Sequence, residues 1–219
     1  MELETKIRIV CIGDSITEGF GYPSLLQEFL GEEYIVFNEG VSGSCVTMTE
    51  ADDRVCGLPY VLQPEYDEAL SIEGNIYIIM LGTNDAQDGM DNLNNIQDPY
   101  YNLISYEPIF EICYQYIIDG IKCAAPDALI YLVTPIPMRN CILRKHQEEY
   151  LLQLLPHIRS LAEKNNLPLI DLHEELLQLS IEELDSLYLE DGLHPSDSGS
   201  FLIASIIAYV IGNRSYKEV

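Results

Sequence analysis

Residues 7–19 read Ile7-Arg8-Ile9-Val10-Cys11-Ile12-Gly13-Asp14-Ser15-Ile16-Thr17-Glu18-Gly19, and the way this stretch divides decides the fold. A run of apolar, largely β-branched residues ends at a glycine and passes at once into small polar residues. Near-continuous hydrophobicity, rather than alternation, marks a strand buried on both faces, as in a parallel sheet. The pattern recurs at 34–37, 76–81, 129–134 and 167–172. Helical periodicity lies between these runs, at 24–30, 107–124, 146–164 and 196–211. In the second of these helices Phe110, Cys113, Ile117 and Ile121 form one stripe; in the third Pro156 is expected to introduce a kink. Ser196 follows Pro195 as the N-cap of the last helix. Strands alternating with helical crossovers of this size predict a right-handed α/β sandwich, with helices on both faces of a five-stranded parallel sheet.

The 219 residues are 47% hydrophobic and 21% charged, enough for one sizeable core. No Gly/Ser or Pro-rich linker and no repeat divides them, so 1–219 is expected to be a single domain. The formal charge is −25, from 11 basic and 36 acidic residues. Such a surface repels phosphodiester backbones and anionic lipid, which argues against nucleic-acid and membrane partners. The first residues lack the basic start and long apolar run of a signal peptide, and no segment reaches the roughly 18 apolar residues of a membrane span. The six cysteines, at 11, 45, 56, 113, 123 and 141, show no zinc-type spacing. Cys11, Cys113 and Cys123 read as buried thiols; Cys45 and Cys56 flank a loop and could bridge, but a reduced, cytoplasmic chain is the expectation. Two connections, 39–66 and 82–106, are longer than usual. The second carries Tyr100, Tyr101 and Tyr106 among several asparagines, and reads equally as a polar surface loop or as the wall of a cleft.

Four short segments follow strands or precede the last helix. They are Gly13-Asp14-Ser15-Ile16-Thr17-Glu18-Gly19, Asn38-Glu39-Gly40-Val41-Ser42-Gly43, Leu81-Gly82-Thr83-Asn84-Asp85 and Asp191-Gly192-Leu193-His194-Pro195. In a doubly wound sheet the first three converge at the carboxyl edge, and the fourth reaches it from the final loop. Singly, each has a bland reading: Ser15 as a helix N-cap, Asn84 and Asp85 as turn residues, Asp191–His194 as a surface turn. Together and in this order they resemble the SGNH hydrolases, also called GDSL esterases, over essentially the whole chain. The resemblance implies a flavodoxin-like three-layer sandwich with strand order 2-1-3-4-5. It also implies a nucleophile at Ser15, triad partners Asp191 and His194, and oxyanion donors at the Ser15 backbone, Gly43 and Asn84.

The residue types suit those roles. A serine hydroxyl needs an adjacent base, and histidine is the side chain that titrates nearest neutrality. Asp191 sits three residues before His194 across a glycine, so a tight turn can bring its carboxylate to the imidazole and hold the tautomer. Gly43 lets an amide approach the substrate without a Cβ, and Asn84 supplies a neutral donor to a developing oxyanion. Asp14, beside Ser15, is expected to bond nearby backbone and only weakly to touch substrate, Asp85 is expected to bond local backbone, and Tyr100, Tyr101 and Tyr106 are weak candidates to stack on a sugar substrate. No GxSxG, GxGxxG, P-loop or HExxH occurs, so neither metal nor nucleotide cofactor is expected. The Asn38–Gly43 and Leu81–Asp85 blocks, with Val-Thr-Pro-Ile-Pro at 133–137, are similar to those of bacterial carbohydrate O-acetylesterases. The expected reaction is therefore hydrolysis of a small ester, an acetylated sugar. The alternatives are a lysophospholipase or thioesterase of the same family, or a catalytically silent sugar-binding module.

Overall fold

A computed structural model describes residues 6–48, 58–86, 95–98, 103–139 and 146–215. Five parallel strands form the central sheet: β1 (Ile7–Gly13), β2 (Tyr34–Gly40), β5 (Ile76–Met80), β8 (Leu129–Val133) and β9 (Leu169–Ile170). Their spatial order is β2-β1-β5-β8-β9, the order 2-1-3-4-5 when only the five sheet strands are counted. Short pairs β3 (Ser44–Cys45) with β4 (Leu58–Pro59), and β6 (Asn95–Asp98) with β7 (Leu103–Pro108), lie outside it.

The helices are α1 (Ser15–Gly19), α2 (Tyr22–Leu30), α3 (Pro64–Ser71), α4 (Ile109–Ala124), α5 (Gln147–Asn165), α6 (Leu172–Leu176), α7 (Ile181–Ser186) and α8 (Asp197–Ser215). Alternate strand residues feed two cores. Val10, Ile12, Tyr77 and Ile79 pack with Tyr66 of α3, Ile117 of α4 and Leu154 of α5. Ile9, Cys11, Ile76 and Ile78 pack on the other face with Leu26 of α2, Leu184 of α7 and Ile207 of α8. Every residue of β5 is buried. Each Ile withdrawn from water in this way contributes about 1.5–3 kcal/mol, which is why the strands read as unbroken apolar runs.

Two expectations shift in α4. Helix α4 begins at Ile109 rather than at 107, and the segment before it is extended. Glu107 precedes Pro108, whose ring disfavours the helical conformation for the residue before it. Cys123 is exposed, on the solvent side of α4, whereas Cys11 and Cys113 are buried. Burial pushes the Cys11 thiol up to about 12. Cys45 is buried, its thiol donating to the Thr47 carbonyl; Cys56 and Cys141 lie outside the described residues. Helix α5 runs on through Pro156 to Asn165. Among the described residues no helix is long and apolar enough to cross a membrane.

Candidate active site

Because β2, β1 and β5 are parallel neighbours, the segments that follow them emerge at one sheet edge. The chain leaving β1 forms α1 at once, with Ser15 as its first residue and Asp14 as its N-cap. This helix sits directly over the end of β2: a Cβ on Gly40 would collide with the Glu18 amide nitrogen. The last loop, ahead of α8, is pinned where the Arg139 amide donates to the Gly192 carbonyl (2.7 Å) and the Leu189 amide to the His194 carbonyl (2.9 Å).

Ser15, His194 and Asp191 form one hydrogen-bonded line. Ser15 Oγ lies 3.0 Å from His194 Nε2, and His194 Nδ1 lies 2.6 Å from Asp191 Oδ2. The other carboxylate oxygen of Asp191 accepts from the backbone N–H groups of Leu193 and His194, both at 2.9 Å. Partial burial pushes the Asp191 carboxyl up, but these backbone and imidazole donors outweigh it and hold the group below the usual carboxylate range. An ionised carboxylate can only accept, so Nδ1 carries the imidazole proton and Nε2 presents its lone pair to the serine hydroxyl.

The second and third segments are laced together beside this line. The Asn84 side-chain amide donates to the Ser44 carbonyl at 2.9 Å, next to Gly43, whose φ of +78° favours glycine. Asp85 is fully buried and accepts from the Val46 amide (2.9 Å), the Thr47 amide (2.9 Å) and the Thr47 hydroxyl (2.8 Å). Beside the local backbone bond expected of Asp85, these are long-range bonds, made because β2 and β5 deliver the two loops side by side across β1. Burial raises its carboxyl, and the Val46 and Thr47 donors offset part of that. On the other flank the Glu18 carboxylate accepts from the Ser42 amide (2.8 Å) and the Ser42 hydroxyl. The segment holding Gly43 is thus tied to α1 on one side and to the loop after β5 on the other.

Asp14 makes the bond to nearby backbone expected of it. It is only 1% exposed, and one oxygen caps α1 by accepting from the Ile16 amide at 3.0 Å. Burial pushes its carboxyl up to about 6, tempered by the Ile16 amide, the Thr83 hydroxyl and the charge of His194. Tyr100 and Tyr101 lie outside the described residues, and Tyr106 is described only as backbone on β7. The remaining histidines have structural partners: His146 pairs with Glu149, His157 with Glu111, and buried His173 with Glu148. Three residues beyond the sequence reading now join the site. Glu18 and Phe20 fall in or just after the first block, where only their spacing from Ser15 could have flagged them. Gln147, nearly fully buried, donates to the Thr83 carbonyl at 2.8 Å and braces the third block; a polar residue opening an apolar helix was the available signal.

Residues 11–200 match the sequence profile of the GDSL-like lipase/acylhydrolase family. An acetylxylan esterase of Xylanibacter ruminicola is 31% identical over 220 aligned positions, which cover 95% of this chain and 44% of that protein. The chain therefore spans less than half the length of this curated relative. A lipase/acylhydrolase from Enterococcus faecalis superposes with a TM-score of 0.69 at 24% identity, covering 95% of this chain and 96% of that one. A carbohydrate acetylesterase from Sinorhizobium meliloti gives 0.68 at 18% identity, over 95% and 99%. These two likenesses establish the fold.

Proposed function

The chain belongs to the GDSL-like lipase/acylhydrolase family, and from that premise we propose that it is a serine carboxylic ester hydrolase removing short acyl groups, acetyl foremost, from neutral carbohydrates. The observation that carries this reading is the unbroken line from Ser15 Oγ through the imidazole of His194 to Asp191. Ser15 attacks the ester carbonyl carbon while His194 Nε2 takes the hydroxyl proton. The resulting imidazolium is held by the Asp191 carboxylate. The tetrahedral oxyanion is met by the backbone N–H groups of Ser15 and Gly43 and by the Asn84 amide. The carbon–oxygen bond to the leaving alcohol then breaks, and His194 returns the proton to that oxygen. Water attacks the acyl-Ser15 ester with His194 again as base, releasing the carboxylic acid. No cofactor enters either half-reaction.

Support for a neutral, short-chain substrate comes from charge and from relatives. A net charge of −25 disfavours docking on anionic lipid. The curated relative is an acetylxylan esterase, and a structural neighbour is a carbohydrate acetylesterase. The buried thiols of Cys11 and Cys113 fit a reducing, cytoplasmic setting. The test is a chain-length series of p-nitrophenyl acetate, butyrate, octanoate and palmitate, followed by acetate release from acetylated xylo-oligosaccharide and acetylated sialic acid. The expected kcat/KM is highest for acetate and falls with length. A rise toward octanoate would instead indicate a lipase or thioesterase. Inactivity on every ester would leave a sugar-binding module.

Asn84→Ala is expected to lower kcat by roughly 10²–10³, the usual cost of one oxyanion donor. KM should move little, because the donor matters most once charge has developed on the oxygen. Steady-state kinetics on p-nitrophenyl acetate check this; a large KM rise at unchanged kcat would make Asn84 a ground-state contact.

A further inference from the structure

The imidazole of His194 is stacked face to face on the ring of Phe20, with centroids 4.4 Å apart and planes inclined by 17°. We propose that Phe20 is a positioning residue for His194, whose ring fixes the tilt of the imidazole and stabilises the imidazolium as it forms. The proposal rests on the reading of His194 as the general base.

Three features of the site carry it. The first is geometric. Nε2 meets Ser15 and Nδ1 meets Asp191, so both nitrogens are held by hydrogen bonds at the ring edge. A planar ring held at two edge points can still rock about the line between them, because such rocking tilts the ring plane while hardly changing either hydrogen bond. A flat surface against one face removes that freedom. The second is the origin of the platform. Phe20 is the C-cap residue of α1, the short helix that Ser15 begins, so nucleophile and platform belong to one rigid turn of chain. Gly21, with φ of +78°, then turns the backbone into α2. The third is electrostatic. An aromatic face carries the negative part of the ring quadrupole, and a cation within about 6 Å of the centroid is attracted to it. A neutral imidazole gains little from this attraction, whereas an imidazolium gains much more. An interaction stronger in the transition state than in the ground state raises kcat rather than lowering KM.

The test replaces Phe20 in the full chain by Leu, by Tyr and by pentafluorophenylalanine, with p-nitrophenyl acetate as substrate. Pentafluorophenylalanine keeps the flat shape but inverts the sign of the face. Phe20→Leu is expected to lower kcat roughly three- to tenfold with KM nearly unchanged, the scale of a partly exposed cation–π contact. Phe20→Tyr, which keeps an electron-rich face, restores most of the rate, and the pentafluoro ring behaves like Leu. In the resting protein the ring protons of His194 should be shifted upfield by the Phe20 ring current in proton NMR and lose that shift in Phe20→Leu. A pentafluoro variant as fast as wild type overturns the electrostatic role. Absence of the ring-current shift overturns the stacking itself. Ser15→Ala serves as the control. A flat Phe20 series beside an inactive Ser15→Ala removes the proposal alone, whereas an active Ser15→Ala removes the base assignment beneath it.

Discussion

Ser15→Ala is expected to reduce ester hydrolysis by about 10⁵–10⁶, to the floor of the assay. The loss is large because the proposed reaction is covalent: without Oγ no acyl-enzyme forms, and only the oxyanion donors and binding remain. Stability should hardly change. The substitution removes one hydroxyl and its 3.0 Å hydrogen bond to His194 in a partly buried setting, worth about 1 kcal/mol. The cap of α1 comes from Asp14 and not from Ser15, so the helix keeps its start. The check combines kinetics with a fluorophosphonate probe, which should label the wild type at Ser15 and leave the variant unlabelled. Ser42, in the second block, is the rival nucleophile. Its hydroxyl, however, donates to the Glu18 carboxylate, and the only imidazole within hydrogen-bond reach of a site serine among the described residues is on Ser15. Labelling at Ser42, or an active variant, would overturn the assignment.

The strands that place Ser15 were legible because a parallel sheet covered on both faces has no use for alternation. The runs that became β1, β5 and β8 are almost wholly apolar for that reason. The final strand was overestimated: the run 167–172 contains only β9, since an edge strand pairs along one side and its last residue, Leu172, already opens α6. The contribution of Pro108 was visible yet outweighed by the apolar stripe that begins beside it. The site was legible as four short blocks, and less so as a set of contacts. That Glu18 grips Ser42, or that Asp85 grips Thr47, depends on which loops the strand order sets side by side; within the blocks, glutamate and aspartate look like ordinary turn residues. Asp14 shows the converse. Its bond to nearby backbone was readable from its place between a strand and a short helix, and the tight exit from β1 turns its side chain inward to make it.

Asp191→Asn should be the next most costly change after loss of the serine, with kcat down about 10³–10⁴ although the side chain keeps its shape. The reason lies in how the carboxylate is shared. One oxygen accepts two backbone N–H groups, from Leu193 and His194, and the other accepts from Nδ1 of the imidazole. An asparagine placed there has one oxygen and one NH₂. The two backbone donors can be satisfied only by the oxygen, so the NH₂ must face His194. A donor facing Nδ1 expels the proton from that nitrogen, and the neutral imidazole becomes the Nε2–H tautomer. Nε2 then donates toward Ser15 instead of accepting from it, and the serine loses its base. The lost negative charge adds to the effect, since the Asp191 carboxylate, 2.6 Å from Nδ1, offsets the imidazolium that forms on proton transfer. Two measurements separate this account from simple unfolding. Thermal denaturation should show a small change, because Asp191 sits at the surface end of the line with a side chain 41% exposed. Nitrogen-15 NMR of the imidazole should show the proton on Nδ1 in the wild type and on Nε2 in the variant. Turnover within tenfold of wild type, or an unchanged tautomer, would mean that Asp191 neither orients nor charges the histidine.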